Sequence, residues 1–373
     1  MKIAFYDVTS TVSIGGIQTA IWELSNELAS RGIEVHIYGG NGPIRPAGLN
    51  HSIKVFTFPF LPREKVPDIG SRFQRIIERL TMTFFARKRL RENSYDIIFT
   101  TKPFDFFLPY FTGGGNLARY AFLSQGTDFF PGDRALSKRI SIWLSCSHFN
   151  AWQVMSRYKR YPRVIYNGVD TAKFHPMLPD AELKRSIGIN EGETVFIFAG
   201  RLVGWKGVKH IVEAMGFEAV RKLPVKLLII GNGPEKKRLE KMSSEMGLNE
   251  RVVFLDFVPH GELPRYYSVA DAAIYPSIGD EAFGISIAEA MACGKPVIAS
   301  HIGGIPEVTG NDGSCGFLVS PTSPDEIAEK IVFLACNAAA RSRMGESARL
   351  RVSENFTWKR SVDRLLDEIK TCL

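Results

Sequence analysis

Residues 195–207 read Val-Phe-Ile-Phe-Ala-Gly-Arg-Leu-Val-Gly-Trp-Lys-Gly. The first five residues are an uninterrupted apolar run, which is typical of a parallel strand covered on both faces. The glycines that follow predict a tight turn, and a helical pattern begins after them. The stretch therefore predicts a strand, a glycine-rich turn and a helix, whose N-terminus is suited to binding an anion.

The same order of elements opens the chain. Residues 3–6 are apolar, Gly15 and Gly16 supply the turn, and Gly32 is a stop signal for the helix between them. One face of that helix is apolar at spacings of four, three and four: Ile17, Ile21, Leu24 and Leu28. Further strand-like runs lie at 35–38, 97–100, 121–124, 164–166, 227–230, 252–255, 272–275, 296–299 and 317–319. Strands alternating with helices predict an α/β protein with parallel sheets.

The chain is 373 residues long, which is more than one hydrophobic core usually organises, so we expect two domains. We place the first at 1–170 and the second at 171–355, because the boundary falls near 170–179, where Pro176 and Pro179 bracket a linker-like stretch. A last helix at 356–373 has an apolar face. The pattern leaves open whether it packs on its own domain or crosses back to the first. Because open α/β sheets bind ligands at the carboxyl ends of their strands, two such domains are expected to face a central cleft.

Composition indicates an ordinary globular protein, with 45% apolar and 23% charged residues. Its five cysteines are scattered, without a C-x-x-C pair, which favours a reducing compartment. The apolar run at the start is too brief for a signal-peptide core, and no apolar stretch reaches the ~20 residues that span a bilayer. We therefore expect a cytoplasmic protein, and its net charge of +8 is compatible with a peripheral position on the inner face of the cytoplasmic membrane.

Arg201 and Lys206 are the cations of the turn that follows residues 195–199. A forked guanidinium and an ammonium next to a helix N-terminus suit a diphosphate. The alternative is that both are solvated loop charges.

Residues 280–294 read Asp-Glu-Ala-Phe-Gly-Ile-Ser-Ile-Ala-Glu-Ala-Met-Ala-Cys-Gly. Glu281 precedes a helix that begins near Gly284, and Glu289 lies about one turn inside it. Carboxylates in such positions accept hydrogen bonds from sugar hydroxyls, and the N–H groups of Phe283, Gly284 and Ile285 could bind further sugar oxygens. A charge preference of the helix N-terminus with one exposed glutamate is the alternative.

Glu281 and Glu289 reproduce the E-x7-E pattern of retaining GT-B glycosyltransferases, and the second half of the chain resembles glycosyltransferase family 4. Four further segments carry the resemblance in order: 166–170 (Tyr-Asn-Gly-Val-Asp) with Phe174, 200–207, 231–234 (Gly-Asn-Gly-Pro) and 303–307 (Gly-Gly-Ile-Pro-Glu). The resemblance implies a GT-B fold of two Rossmann-like domains, the first binding the acceptor and the second a UDP- or GDP-linked sugar.

The resemblance also assigns roles. It implies that Arg201 and Lys206 bind the donor diphosphate, Glu289 the ribose and Glu281 the transferred sugar. It matches Gly15 and Gly16 to a loop near the donor phosphates. Where many members carry a histidine, this chain has Gln125, which can hydrogen-bond at the reacting centre but cannot titrate.

Metal and acceptor predictions follow from the same residues. No Asp-x-Asp occurs in the sequence, and two fixed cations can serve the leaving diphosphate, so we expect no metal and no cofactor. Asp105 and Asp128 end strands on the expected side for acceptor binding, although loop capping is an alternative role. Four histidines are isolated from one another in sequence and are interpreted as structural or solvent-facing: His148, His210, His260 and His301.

A basic segment, 63–91, holds nine Lys/Arg against three Asp/Glu. Phe73, Ile76, Ile77, Leu80 and Phe84 share a helical face with cations on its flank, which is typical of an interfacial segment. The residues expected to contact an anionic membrane are Arg72, Arg75, Arg79, Arg87, Lys88, Arg89 and Arg91. An ordinary helix with a solvated basic face is the alternative. Nucleic acid is not expected, because no recognisable binding module surrounds the segment.

The sequence thus predicts a metal-independent, retaining glycosyltransferase of the hexosyltransferase class. It would transfer sugar from a nucleotide sugar to a saccharide or lipid-linked acceptor in surface polysaccharide or glycolipid assembly. Two rivals remain open: a nucleotide-sugar epimerase of the same architecture, and a non-catalytic membrane-binding protein on this fold.

Overall fold

A computed structural model describes residues 1–112, 118–126 and 128–372. The chain forms two compact units, Met1–Asn167 with Trp358–Leu373, and Gly168–Thr357. The unit boundaries differ by two or three residues from 170/171 and 355/356. Val169 pairs with Thr357 in a parallel bridge, and the Val169 N–H donates to the Phe356 carbonyl at 2.8 Å. The two stretches where the chain passes from one unit to the other are therefore bonded to each other, and both belong to the second unit.

The first unit contains a seven-stranded parallel sheet in the order β3-β2-β1-β4-β5-β6-β7. Its strands are β1 Lys2–Tyr6, β2 Glu34–Gly40, β3 Lys54–Phe58, β4 Ile97–Thr100, β5 Arg119–Ser124, β6 Ile142–Ser145 and β7 Arg163–Val164. Its helices are α1 Gly16–Ser30, α2 Ser71–Glu92, α3 Leu108–Thr112, α4 Asp133–Leu136, α5 His148–Tyr158 and α15 Trp358–Cys372, with α6 to α14 in the second unit.

The last helix, α15, packs on α1 within the first unit. Val362, Leu365 and Ile369 are at most 1% exposed and join the apolar cluster that contains Ile21 and Leu24 of α1. This cluster covers one face of the sheet, while α2 and α5 cover the other face. Of the two arrangements left open by the sequence, the structure shows the return to the first unit.

The second unit contains a six-stranded parallel sheet in the order β10-β9-β8-β11-β12-β13. Its strands are β8 Thr194–Ala199, β9 Val225–Ile230, β10 Val252–Leu255, β11 Ala272–Tyr275, β12 Val297–Ser300 and β13 Gly316–Val319. Its helices are α6 Ala181–Ser186, α7 Val208–Met215, α8 Glu218–Arg221, α9 Lys236–Glu245, α10 Leu263–Ser268, α11 Ile285–Ala292, α12 Ile305–Thr309, α13 Pro324–Cys336 and α14 Ala338–Asn355. The α/β class with parallel sheets is confirmed.

Each sheet has one point at which the strand order reverses. In the second unit β8 lies between β9 and β11, and in the first unit β1 lies between β2 and β4. Connections that leave neighbouring strands in opposite directions open a crevice at their carboxyl ends, where ligands of such sheets bind. The loops after β8 and β11, and those after β1 and β4, are therefore the places to look for a site.

Among the described residues, no helix combines the length and the apolar composition needed to cross a membrane.

Candidate functional site

The loops after β8 and β11 are fixed against each other at the reversal point of the second unit. The N–H groups of Ile278 and Gly279 donate to the Trp205 carbonyl at 2.8 and 3.1 Å. Gly207 has φ +66°, and a Cβ there would lie 2.0 Å from the Pro276 carbonyl oxygen. Only glycine permits this approach, so the glycine that ends the β8 loop sets the position of the residues before it.

Lys206 and Glu281 meet at this junction. The Lys206 Nζ lies 2.5 Å from Glu281 Oε2, and their side chains are only 13% and 16% exposed. A close, part-buried pair of this kind holds both groups in one orientation. The structure therefore brings together two residues that are 75 positions apart and were predicted for neighbouring parts of the donor.

Arg201 leaves the same loop as an exposed cation. Among the described residues no carboxylate lies within ion-pair distance of its guanidinium, whose central carbon lies 5.9 Å from the Trp205 ring centroid. The Lys206 Nζ lies 4.5 Å from the same ring. One indole thus lies beside both cations, and Arg201 keeps its charge available for an anion.

The loop after β12 contacts the backbone of Glu281. Gly303 has φ +61°, and a Cβ there would lie 2.4 Å from the Glu281 carbonyl oxygen. The N–H of Gly304 donates to that oxygen at 2.7 Å. The glycines at 303 and 304 therefore fix the backbone of Glu281.

Helix α11 begins at Ile285, four residues after Glu281. Gly284 precedes its first residue with φ +98°, and no side chain caps the helix. Phe283 is 2% exposed, so its ring anchors the turn in the core. The N–H groups of Ile285 and Ser286 point out of the first turn, where an anion or a hydroxyl oxygen is favoured. The roles assigned to Phe283, Gly284 and Ile285 stay predictions.

Glu289 is 5% exposed and hydrogen-bonded to His260, whose Nε2 lies 2.5 Å from Glu289 Oε1. The other ring nitrogen, Nδ1, lies 3.2 Å from the Nζ of Lys173. An ammonium group only donates, so Nδ1 accepts, and Nε2 carries the hydrogen that bonds to Glu289. Lys173 and His260 thereby orient the carboxylate predicted to bind ribose.

His260 and Lys173 are the residues of this site that the sequence did not reveal. Positions 173, 260 and 289 are far apart along the chain, and His260 was interpreted as structural or solvent-facing. The nearest sequence signal was the 166–170 segment with Phe174, whose ring centroid lies 5.0 Å from that of His260.

In the first unit, the carboxyl ends of β1 and β4 carry a buried charge cluster. Arg79 of α2 is 1% exposed and pairs with Asp7 and Asp105, both 0% exposed. Burial alone would raise the pKa of Asp7, but Arg79, Lys102 and hydrogen bonds from Thr101 and Thr9 outweigh it and lower that pKa. Burial raises the pKa of Asp105 to about 7 in spite of Arg79, and its Oδ1 has no hydrogen-bond partner among the described residues.

The cluster also holds the loop that leads to Gly15 and Gly16. Asp7 Oδ1 accepts hydrogen bonds from the N–H and the hydroxyl of Thr9 at 2.7 and 2.6 Å. Gln18, in the first turn of α1, donates from Nε2 to the Thr9 hydroxyl at 2.6 Å. Gly15 and Gly16 thus lie at the start of α1, close to the reversal point of this sheet.

Two predicted roles need correction. Arg79 was predicted to contact a membrane, but it lies inside the unit because two carboxylates neutralise it. Asp105 was predicted to contact the acceptor, but its carboxylate is wholly covered and bound to Arg79. Asp128 stays at the surface with a side chain 43% exposed, paired with Arg75 at 2.7 Å and with Lys102 at 3.6 Å.

Gln125 is 9% exposed and pairs with Asn167. Each amide nitrogen donates to the other amide oxygen, at 3.0 and 2.8 Å. This reciprocal pair uses one N–H donor and one lone pair of the Gln125 amide. A ligand would therefore either hydrogen-bond to the second N–H or the second lone pair, or break the pair. The neighbouring Thr127 lies outside the described residues.

The remaining cations predicted for membrane contact fall into two groups on α2. Arg72 is exposed near its start, whereas Arg75 is held by Asp128. Lys88, Arg89 and Arg91 are exposed near its end, and Arg87 is half-buried. Only the end of the helix therefore presents a dense cationic surface.

Within residues 1–112, 118–126 and 128–372, no group of three or more His, Cys, Asp or Glu side chains is arranged to hold a metal ion.

Solved structures with the same architecture define the class. Sucrose-phosphate synthase from Thermosynechococcus elongatus superposes with a TM-score of 0.83 at 21% identity, covering 99% of this chain and 98% of that one. Anabaena Alr3699/HepE, solved in complex with UDP and glucose, gives 0.82 at 22% identity with full coverage of both chains. These likenesses establish the GT-B fold.

Family comparisons identify both halves. Residues 14–173 match the model described as Glycosyltransferase Family 4, and residues 179–351 match the model described as Glycosyl transferases group 1. The chain belongs to the glycosyltransferases of the family 4 type, as the sequence resemblance predicted. A GDP-mannose-dependent alpha-(1-6)-phosphatidylinositol monomannoside mannosyltransferase from Mycolicibacterium smegmatis is 34% identical over 209 residues, covering 54% of each chain. The chain spans about half the length of the curated relatives that it matches at this level of identity.

Proposed function

We propose that this protein is a retaining glycosyltransferase that moves a sugar from a UDP- or GDP-linked donor to a saccharide or lipid-linked acceptor. Surface polysaccharide or glycolipid assembly at the inner face of the cytoplasmic membrane is the process that we assign to it. The observation that carries the proposal is the Lys206–Glu281 pair at the strand reversal of the second unit, beside Arg201, which has no ion-pair partner among the residues that the structure describes.

The two cations suit a leaving nucleoside diphosphate. Arg201 has a guanidinium that can bind two phosphate oxygens, and Lys206 supplies a second positive charge 2.5 Å from Glu281. A donor diphosphate would bind the Lys206 ammonium group and so weaken its ion pair with Glu281. The Glu281 carboxylate could then accept hydrogen bonds from sugar hydroxyls. The pair therefore occupies the point where sugar and diphosphate of one donor would join.

The reaction that we assign proceeds on one face of the sugar. The bond between the anomeric carbon and the phosphate oxygen breaks, a bond to the acceptor oxygen forms, and the acceptor's proton passes to the departing phosphate oxygen. The protein then has to stabilise an oxocarbenium-like state and the growing charge on the diphosphate, which fixed cations do without reorganisation. For this reason we propose a metal-independent reaction without a cofactor.

Glu289 is the residue proposed to bind the ribose of the nucleotide. Its carboxylate is held by His260, so one of its oxygens is directed before any ligand arrives. The known ligands of similar proteins, UDP for the Anabaena structure and GDP-mannose for the mycobacterial relative, support a nucleoside diphosphate sugar and leave the base open.

A thermal-shift panel of UDP- and GDP-linked sugars tests the proposal. A donor present at 100 times its dissociation constant should stabilise the protein by ~2.7 kcal/mol. Transfer of sugar from the stabilising donor to an added acceptor is the expected result. Conversion of the donor sugar in the absence of any acceptor would instead identify an epimerase, and no stabilisation by any nucleotide sugar would contradict both activities.

A further inference from the structure

The first unit carries a cationic end far from its predicted ligand loops. Helices α2, α3 and α5 and the turn after α4 lead into β4, β5, β7 and β6, so their C-terminal ends meet at the amino ends of these parallel strands. The loops predicted to bind ligands lie at the opposite, carboxyl ends. Whatever these cations bind is therefore separate from the loop of this unit that holds Gly15 and Gly16.

A cavity of about 540 Å³ opens at this end. Three cationic side chains, Arg134, Lys138 and Arg160, line it together with Tyr158, and its lining includes no carboxylate. All three cations are exposed. The nearby Asp133 is 0% exposed and already bound by Arg157 at 2.6 Å and by the Tyr158 hydroxyl at 2.8 Å, so it does not offset their charge.

The cavity continues onto the end of α2 through α3. Arg91 of α2 donates to the Phe111 carbonyl at 2.5 Å, and the hydroxyl of Tyr110 donates to the Leu136 carbonyl at 3.4 Å. The guanidinium of Arg139 lies 4.4 Å from the Tyr110 ring centroid. In the described part of the chain, seven cations of this end have no carboxylate within ion-pair distance: Arg87, Arg89, Arg91, Arg134, Lys138, Arg139 and Arg160. We call them the basic end.

Aromatic side chains are exposed beside these cations. Phe84 and Phe85 of α2 are 56% and 49% exposed, and Tyr110 and Phe111 of α3 are 42% and 40% exposed. Cations at helix C-termini also complement the helix dipoles, but that effect does not call for exposed phenylalanines. Basic residues interleaved with exposed aromatic rings match the interface of an anionic bilayer, where rings enter the headgroup region and cations meet phosphates.

We propose that Arg134, Lys138 and Arg160 form a binding site for the phosphate of an anionic phospholipid headgroup, and that the basic end docks on the bilayer around it. This surface keeps the C-terminal part of the one predicted from residues 63–91, with Arg87, Arg89 and Arg91, and adds the cavity to it. The rest of the predicted surface is lost, because Arg79 is buried, Arg75 is paired with Asp128, and Arg63 is paired with Glu78 at 2.9 Å. The proposal does not depend on donor turnover.

Vesicle co-sedimentation tests the site. The probes are vesicles of phosphatidylglycerol with phosphatidylcholine, and vesicles of phosphatidylcholine alone. The wild type should prefer the anionic vesicles, and Arg134→Gln, Lys138→Gln and Arg160→Gln together should reduce that binding at least about tenfold, since each cation near an anionic surface contributes about fivefold. The matched control replaces three exposed cations of α9, Lys237, Arg238 and Lys241, by glutamine and should bind like the wild type.

A second variant tests the docking surface without changing its charge. Phe84→Ser with Phe85→Ser should weaken binding to anionic vesicles, while the salt dependence, which reports the cations, persists. The thermal melts of all variants are compared with that of the wild type, and residual donor turnover is measured with a soluble acceptor. Unchanged turnover with lost vesicle binding is the expected combination.

The inference would be overturned if the wild type showed no preference for anionic vesicles, or if the glutamine variant and its α9 control lost binding equally. It would also be overturned if both the glutamine and the serine variants still bound the vesicles. Tighter binding of the wild type to an RNA oligonucleotide than to the vesicles would overturn it as well. Saturation of the site by inorganic phosphate, measured by calorimetry and abolishing vesicle binding, would assign it to free phosphate instead. Vesicle binding without any donor turnover would disprove the proposed enzyme and leave this inference standing.

Discussion

At the scale of single residues, the charged groups of the site could be predicted from the sequence, but the contacts between them could not. Arg201, Lys206, Glu281 and Glu289 could be chosen from their positions at strand ends and helix starts. Their partners could not, because each contact depends on how distant loops approach. His260 binds Glu289 only because the loop after β10 returns to α11.

Arg201→Ala or Lys206→Ala should each lower turnover about 10²- to 10³-fold, which is the usual effect of removing one preorganised charge-stabilising group. Both side chains belong to a loop outside the core, so both variants should stay folded. Lys206→Ala also leaves the part-buried Glu281 without its ion-pair partner and should lower the melting temperature more than the change at the exposed Arg201. Steady-state kinetics with a soluble donor measure the effect. Arg238→Ala, a change to an exposed cation of α9, is the control, and turnover at the wild-type level in either loop variant would remove the diphosphate role.

Glu289→Ala should weaken the binding of the free nucleotide and of the nucleotide sugar alike. Glu281→Ala should weaken the binding of the nucleotide sugar selectively. His260→Ala should follow Glu289→Ala, with a loss of about tenfold for a lost charge-assisted hydrogen bond, and His260→Gln should recover part of it because an amide can still donate. Calorimetry with UDP, GDP and their sugar derivatives separates these cases. Equal losses for nucleotide and sugar nucleotide in the Glu281 variant would refute the division of roles.

At the scale of elements, the sequence located most buried strands but misjudged α2. Continuous apolar runs identify parallel strands, yet β3 is an edge strand with no buried residue, and β6 was also missed. For α2 the pattern suggested a basic flank, since arginine is seldom buried. Asp7 and Asp105, far from Arg79 in sequence, are what permit its burial, and a pattern confined to one helix cannot show them.

Arg79→Met should reduce the free energy of unfolding by about 3–5 kcal/mol, because it leaves two buried carboxylates without their counter-ion. Arg72→Met on the same helix is the matched control and should stay within about 0.5 kcal/mol, since Arg72 is exposed. Urea denaturation measures both. Similar values for the two variants would mean that the buried cluster adds little to stability.

Asp105 should give stability a distinct pH dependence. Its ordinary pKa of 3.8 is raised to about 7 by burial, so the folded chain holds this proton more tightly than the unfolded chain between these values. The free energy of unfolding should therefore fall as the pH rises from about 4 to about 7. Asp105→Asn cannot titrate and should lack this fall. Urea denaturation across that range tests the difference, and parallel curves for the two proteins would disprove it.

At the scale of the whole molecule, length and the repeated strand-turn-helix pattern were enough to predict two α/β units, and the resemblance to glycosyltransferase family 4 added the GT-B class. The unit boundaries and the placement of α15 required the structure, because an amphipathic helix fits any apolar surface of matching shape. The second unit's loops follow the predicted order, which is why its candidate residues converge at one strand reversal.

Turnover should persist in the presence of a chelator, because fixed cations rather than a metal ion are assigned to the leaving diphosphate. Transfer assays with and without EDTA measure this. The Arg201→Ala variant serves as a reference for the loss expected when one positive charge is missing. Abolition by EDTA and recovery with manganese would show that a metal site exists after all.

The position of α15 has a consequence for how the chain folds as it is synthesised. The second unit is one uninterrupted stretch, Gly168–Thr357, and can fold as soon as it has left the ribosome. The first unit, although translated earlier, keeps the apolar surface of Ile21 and Leu24 uncovered until Val362, Leu365 and Ile369 emerge. The unit that is translated first is thus completed last. A chain stalled before α15 would leave this apolar surface exposed, which is the kind of surface that chaperones bind.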